Sequence, residues 1–352
     1  METELLHLDA AHPDLHEIDR AGRILREGGL VAFPTETVYG LGGNALDPEA
    51  SMKIYAAKGR PSDNPLIVHI ADMAHLYPIA EDVPEAAIRL ADVWWPGPVT
   101  MIFRKKPIVP DETSGGLPTV AVRMPNHPIA LALIRAAGGY IAAPSANTSG
   151  RPSPTRAEHV KEDLDGRIDM IIDGGEVRIG LESTIVDFTG DVPCILRPGY
   201  VNEQKLREIL GEVMIDPAII APDGMHDLKP RAPGMAYRHY APRAKLSIVT
   251  GDKEAVISKI NELAGRAALQ GKTVGIIATD ETALRYTAGR VRDIGSIESD
   301  KEIAQHLFSV LRDFDDDGVD IIYSEAFDTP RMGQAIMNRL LKAAGHSVIE
   351  AK

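Results

Sequence analysis

The feature that most constrains this chain recurs through its first two hundred residues: short apolar runs, several rich in β-branched residues, each emptying into a loop of Pro, Gly and small polar groups. Runs that short suit strands buried in a sheet better than helices, and the loops after them are where a rigid sheet displays binding groups. They are Gly28–Pro34, Pro65–Ile70, Val99–Phe103, Val120–Arg123, Tyr140–Ala143 and Thr184–Asp187. Helical periodicity falls between them, over Ile18–Arg26, Ala86–Val93 and Ile129–Ala137. The mixture predicts one α/β domain over residues 1–215.

Beyond Leu210 the periodicity lapses, and residues 221–245 carry four prolines, two glycines and a local excess of three positive charges. That composition reads as a linker over 216–245. From residue 246 to 352 strands and helices alternate: strands Leu246–Val249, Thr273–Ala278 and Gly318–Tyr323, helices Glu254–Ala268, Glu302–Phe314 and Met332–Ala344. The alternation predicts a smaller, Rossmann-like domain with a parallel sheet. Neither GxGxxG nor a Walker A loop follows any of these strands, so no nucleotide signature is present there. Asp313, Asp315, Asp316 and Asp317 read as a solvated helix end rather than a metal site.

Charge narrows the function. The net charge of -13 opposes general adhesion to nucleic acid or anionic membrane, so any RNA contact would be local and weak. A single cysteine, Cys194, allows neither an internal disulfide nor a cysteine zinc site and fits a core or loop thiol. The start, Met1-Glu2-Thr3-Glu4, is acidic, and no apolar run approaches the roughly 20 residues that span a bilayer. A cytoplasmic protein is expected.

Against that acidic background the loops of the first domain gather cations and hydrogen-bonding groups. Pro34-Thr35-Glu36-Thr37-Val38-Tyr39-Gly40-Leu41-Gly42 offers hydroxyls and glycines beside a strand, either as a backbone cradle or as a capped helix start. Lys58-Gly59-Arg60-Pro61-Ser62-Asp63-Asn64-Pro65 pairs a point charge with a guanidinium fork, which suits phosphate or carboxylate. His69 lies on the apolar strand that follows and by default is a satisfied core histidine. Trp95-Pro96-Gly97-Pro98 is a stiff, mainly structural turn.

Arg123 ends a buried strand with a permanent cation that must find an anion, from an internal carboxylate or from a ligand. Residues 143–155 supply five hydroxyls and an amide, with Ser145, Asn147 and Ser153 among them; Glu182-Ser183-Thr184 and Arg197-Pro198-Gly199 add hydroxyls and a cation. No GxSxG elbow accompanies them, which removes a serine hydrolase. Lys58, Arg60, Arg123 and Arg197 together point to a specific anionic ligand.

These blocks closely resemble the Sua5/YrdC family, the threonylcarbamoyl-AMP synthases. The likeness covers most of residues 15–210, and Ala232-Pro233-Gly234-Met235-Ala236-Tyr237-Arg238-His239-Tyr240-Ala241-Pro242 resembles the linker of its long, two-domain Sua5 form. The resemblance implies a YrdC-like twisted open α/β sheet with a concave ligand cleft, followed by the Sua5 C-terminal domain. It implies a nucleotidyltransferase that joins L-threonine, bicarbonate or CO2, and ATP into threonylcarbamoyl-AMP and pyrophosphate, for the t6A modification at position 37 of tRNA. Lys58, Arg60 and Arg123 would be the catalytic groups. Thr35, His69, Arg123, Ala143 and Ser183 would line the L-threonine site. Lys58, Ser62, Thr119, Ser145, Asn147, Ser153 and Arg197 would hold ATP with its Mg2+, and Tyr237 or Tyr240 of the linker would close over the cleft.

Downstream, a transient contact with the tRNA threonylcarbamoyl-transfer complex is implied. Two alternatives are set against it by the residues. A carbamoyltransferase of the hydrogenase-maturation type would bring cysteine zinc motifs, and an RNA-binding module would need basic residues interleaved with aromatics. One cysteine and an acidic first domain disfavour both.

Overall fold

The computed structural model describes residues 2–220, 231–233, 239–327, 329 and 331–352. Two compact units divide the chain: residues 1–149 with 153–237, and residues 150–152 with 238–352.

The strands of the first unit are β1 (Glu4–His7), β2 (Val31–Phe33), β3 (Gly40–Asn44), β4 (Ile67–His69), β5 (Ala80–Glu81), β6 (Val99–Lys105), β7 (Thr119–Arg123), β8 (Ile141–Ala142), β9 (Met170–Asp173), β10 (Thr184–Asp187), β11 (Cys194–Arg197) and β12 (Met214–Ile215). They form one mixed sheet in the order β1-β9-β2-β3-β8-β4-β7-β6-β10-β11-β12, with β5 beside β6. The apolar runs of the sequence supply the middle of this sheet, as expected. β3 was not anticipated: Gly40-Leu41-Gly42-Gly43-Asn44 has poor strand propensity, and its form comes from pairing with β2 and β8. No helix starts in the 34–42 loop, so the capped-helix reading does not hold; its last residues, Gly40–Gly42, open β3.

Helices pack on the sheet through stripes fixed by the sequence. Leu15–Arg26 starts at Asp14, whose carboxylate accepts the His16 N–H at 2.9 Å, and it buries Ile18, Ala21 and Leu25. It meets the helix Pro128–Ala136 so closely that a Cβ on Gly22 would stand 2.6 Å from the Cβ of Ala136. The helix Pro48–Lys58 follows from its ends: Asp47 caps it, Pro48 opens it, and Gly59 at φ 61° stops it. Lys58 is therefore fixed as its last residue. Cys194 lies buried on β11, where burial raises the pKa of its thiol.

In the second unit, β13 (Lys245–Thr250), β14 (Val274–Ala278), β15 (Arg290–Asp293), β16 (Ile321–Glu325) and β17 (Val348–Glu350) make a sheet ordered β15-β14-β16-β13-β17, parallel throughout. Helices Lys253–Leu269, Asp300–Asp316 and Gly333–Ala343 alternate with them. The acidic helix end is less solvated than its composition suggests. Asp315 is buried, accepts the Arg243 N–H at 2.6 Å and stands 3.6 Å from Arg151; Asp317 pairs with Arg290 and Arg292 at 2.8 Å each. No helix among the described residues is long and apolar enough to cross a membrane.

Candidate active site

The site is framed by the loop between β2 and β3. Thr35 is buried, its hydroxyl donating to the Val38 carbonyl at 2.7 Å while the Thr37 and Val38 N–H groups point back at it. This local turn draws the chain into a fold that the loop after β8 then clasps. The Tyr39 carbonyl accepts the Ala146 N–H, Leu41 N–H donates to Pro144, and Tyr39 N–H donates to Pro154. Tyr39 and Leu41 are thus tied to Pro144, Ala146 and Pro154 in one hydrogen-bonded layer.

Arg123, at the end of β7, is 4% exposed. Its Nη1 donates to the Thr37 hydroxyl at 2.9 Å, its Nε donates to the Gly97 carbonyl at 3.3 Å, and its Nη2 lies 2.7 Å from a Glu36 carboxylate oxygen. The buried cation that the sequence required to find an anion has an internal one. The contact with Glu36 is close but badly directed, and neither Glu36 oxygen receives a hydrogen bond among the described residues. The Trp95–Pro96 turn, whose peptide bond is cis, supplies the Gly97 carbonyl; it is structural in the sense of holding Arg123.

β4 runs parallel to β7 with His69 opposite Arg123. His69 is 3% exposed, and burial together with the Arg123 charge lowers its pKa to about 3. Its Nδ1 stands 3.1 Å from the Ile67 carbonyl, which can only accept, so Nδ1 carries the proton and Nε2 is left as an acceptor. Ala143 donates its N–H to that same Ile67 carbonyl at 2.9 Å. On the other side of Arg123, β6 sets Thr100 opposite it, and the Thr100 and Ser183 hydroxyls meet at 2.7 Å. Thr35, His69, Ala143 and Ser183 are therefore linked to Arg123 through adjoining residues: Thr35 through the Thr37 hydroxyl, His69 across the β4–β7 pair, Ala143 through Ile67 of β4, and Ser183 through Thr100 of β6.

Ser183 leads on to Arg197, which is 6% exposed and donates to the Ser183 carbonyl at 3.0 Å and to its hydroxyl at 3.1 Å. The Pro233 carbonyl takes a third Arg197 donor at 3.3 Å. Arg231 beside it pairs with Asp187, and with Asp216 at 3.3 Å. Ser153 is buried against Glu182, hydroxyl to carboxylate, at 2.5 Å.

The phosphate-type donors form the neighbouring cluster. Lys58 is buried, and its ammonium donates to the carbonyls of Ser145 and Asn147. The Ser145 hydroxyl and the Asn147 side-chain carbonyl are 2.6 Å apart. Arg60 clips its own turn, with bonds to the Asn64 carbonyl, the Asn64 side chain and the Pro65 carbonyl between 2.7 and 3.1 Å. These bonds tie Arg60 to the loop bearing Ser62, which is exposed. Thr119 lies at the opposite end of β7 from Arg123. Tyr240 stacks on Phe308 at 5.1 Å within the second unit, at φ +64°, and Tyr237 lies outside the described residues. Glu36, Thr37, Thr100 and Glu182 complete the site, although none was assigned a role from sequence. The signal for Glu36 was an acidic side chain in the middle of an otherwise neutral, glycine-rich loop.

Residues 23–199 match the family of Sua5, YciO and YrdC, described as telomere recombination, and residues 201–345 match the threonylcarbamoyl-AMP synthase C-terminal domain. The chain belongs to the Sua5/YrdC family. It is 49% identical to the threonylcarbamoyl-AMP synthase of Pyrococcus abyssi, with 94% of both chains covered. Identity to the Bacillus subtilis enzyme of the same name is 48%, covering 95% of this chain and 94% of that one. Among solved structures, Pyrococcus abyssi Sua5 complexed with L-threonine superposes with a TM-score of 0.94 at 46% identity, covering 99% of this chain and 100% of that one. Both units of this chain thus have counterparts in the Sua5 proteins.

Proposed function

We propose that this chain is a threonylcarbamoyl-AMP synthase, forming threonylcarbamoyl-AMP and pyrophosphate from L-threonine, bicarbonate or CO2, and ATP, in support of tRNA t6A modification in the cytoplasm. The observation that carries the reading is the buried Arg123, linked through adjoining residues to Thr35, His69, Ala143 and Ser183, in a family whose Pyrococcus abyssi member was crystallised with L-threonine.

The chemistry follows from these groups. The Arg123 fork takes the threonine carboxylate, having donors to spare beyond those on Thr37, Gly97 and Glu36. Glu36, short of directed donors, takes the threonine ammonium. Neutral His69 cannot repel that ammonium, and its Nε2 accepts the substrate hydroxyl. The ammonium loses a proton, which bicarbonate takes up in yielding CO2 and water; the amine attacks CO2 and sheds a second proton to solvent as the carbamate forms, and a carbamate oxygen attacks the α-phosphorus of ATP with departure of pyrophosphate. Lys58 and Arg197 offset the triphosphate charge, while Ser145, Asn147 and Ser153 orient it.

Mg2+ would arrive on the triphosphate. Among the described residues no group of three or more His, Cys, Asp or Glu side chains is placed to hold a metal, and Mg2+ characteristically keeps waters while bridging substrate phosphates. When bound it would neutralise charge on the leaving pyrophosphate. The reaction thus depends on positioning and charge neutralisation.

The test is pyrophosphate release from ATP and bicarbonate with L-threonine, with L-serine, and with no amino acid, the product being identified by mass. Threonine-dependent release with the mass of threonylcarbamoyl-AMP is expected. Release that ignores the amino acid would remove the proposal.

A further inference from the structure

A cavity lies wholly within the second unit, at the carboxyl ends of β13, β14 and β16. The chain leaves β13 for β14 two positions away in the sheet, and β16 later fills the gap between them. Ligands of open parallel sheets collect at such crevices. The cavity holds ≈ 200 Å3. That suits a molecule the size of a small amino acid.

Its chemistry is defined by Glu325, which lines the cavity and is 8% exposed. The Glu325 carboxylate accepts the Tyr286 hydroxyl at 2.5 Å and, weakly, the Thr279 N–H at 3.4 Å. No cation pairs with it among the described residues. A buried carboxylate held by neutral donors alone is poorly compensated and gains most from a cationic partner. The other carboxylate on the wall, Glu281, is already occupied by the Ser296 hydroxyl at 2.5 Å and the Ile297 N–H at 3.1 Å.

Opposite charge lies on the same cavity wall. Lys253 lines the cavity and opens the seventeen-residue helix Lys253–Leu269, whose cap residue Asp252 makes no side-chain bond to the first turn. The first-turn N–H groups and the Lys253 ammonium together favour an anion. Val249, Val256, Ile297 and Ala326 supply apolar wall, beside Thr250, Thr279 and Thr282.

We propose that the second unit binds a free α-amino acid with a small aliphatic side chain here, its ammonium on Glu325 and its carboxylate facing Lys253 and the helix start. The apolar wall covers the side chain. This site is separate from the Arg123 cluster and does not depend on the synthase reading.

The test uses the full chain, isotope-labelled, titrated with L-alanine and L-valine while the amide signals of Thr250, Gly251, Thr279, Thr282 and Ala326 are followed by NMR. Saturable shifts of these amides at millimolar ligand are expected. Propionate and ethylamine, each lacking one charge, should bind at least about tenfold more weakly. Glu325→Gln should weaken L-alanine at least about tenfold by removing the buried charge partner. Lys253→Ala, a change at an exposed position that leaves the fold intact, should weaken L-alanine about threefold and leave ethylamine unchanged. Absence of shifts at these amides overturns the proposal, as does propionate binding that equals L-alanine, or L-alanine binding indifferent to both substitutions. Pyrophosphate release plays no part in the readout, so either result leaves the catalytic reading where it stands.

Discussion

Arg123 and Glu36 meet at 2.7 Å inside the first unit, 4% and 2% exposed, joined across 87 positions of sequence. The pair is not arranged for stability. Among the described residues the Glu36 oxygens receive no directed hydrogen bond, while the same guanidinium donates to Thr37 and Gly97. A buried ion pair with that geometry repays its desolvation poorly, and such pairs can often be replaced by apolar residues without loss. What apolar residues cannot do is present a fork and an acceptor to a zwitterion.

Removing one partner alone should therefore be worse than removing both. Arg123→Ala is expected to cost about 3–5 kcal/mol of stability, because Glu36 is left charged and buried. The double variant Glu36→Leu with Arg123→Met should recover most of that in chemical denaturation. Calorimetry should find L-threonine binding lost in both. Threonine binding by the double variant would contradict the role given to the pair.

Lys58 tests the other half of the site. As the last residue of its helix it reaches the Ser145 and Asn147 carbonyls, so it shapes the loop that bears the proposed ATP contacts. Lys58→Met should lower kcat/KM for ATP by about 100-fold or more, the size of effect seen when a donor to developing charge is lost. L-threonine affinity, measured without ATP, should stay near its original value. A variant that loses both ligands equally would mean that Lys58 supports the whole loop layer rather than the nucleotide.

Two histidines, the buried His69 and the half-buried His127, set the acid behaviour. Burial holds His69 at about 3, with Arg123 adding to the depression, and burial holds His127 at about 4, against an ordinary 6.5. In the unfolded chain both take up protons near 6.5, whereas the folded protein binds them only at much lower pH. Between those values the unfolded state carries more protons, so stability falls as pH falls from about 6.5 toward about 3. Urea midpoints should drop between neutral and mildly acid pH, where carboxylates remain ionised. His69→Asn should flatten that slope; an unchanged slope would mean that His69 is not held neutral.

How much of this was legible beforehand depended on whether the signal was local. The helix Leu15–Arg26 and the strands β7 and β14 were visible because their apolar spacing is written in adjacent residues. The helix Pro48–Lys58 was overlooked even though Asp47, Pro48 and Gly59 mark both its ends, because its buried face mixes Ser51 and Lys58 with apolar residues. β1 is mostly exposed and polar-edged, and β3 is largely glycine, so both owe their form to partners elsewhere in the sheet. The site divides the same way. The demand that Arg123 find an anion followed from its place at the end of an apolar strand, but the supplier, Glu36, is set by loop packing that no local pattern encodes. Asp315 shows the reverse: a run of acids looks solvated until tertiary packing buries one of them beside Arg151.

Two glycines give opposite expectations for one and the same change. A Cβ on Gly199 would stand 2.5 Å from the Thr184 backbone nitrogen and 2.9 Å from the Ser183 carbonyl carbon, both main-chain atoms of a strand edge that cannot retreat alone. Gly199→Ala should therefore push Ser183 away from Arg197 and Thr100, lowering both the denaturation midpoint and threonine-dependent pyrophosphate release. Gly265 lies inside the helix Lys253–Leu269 with nothing within 4 Å of its added Cβ. There alanine lowers the entropy of the unfolded chain without a clash, so Gly265→Ala should stabilise by about 0.5–1 kcal/mol and leave turnover unchanged. If both variants behave alike in denaturation and in turnover, the close packing of Gly199 on the Ser183–Thr184 backbone is not what orders the Ser183–Arg197 side of the site.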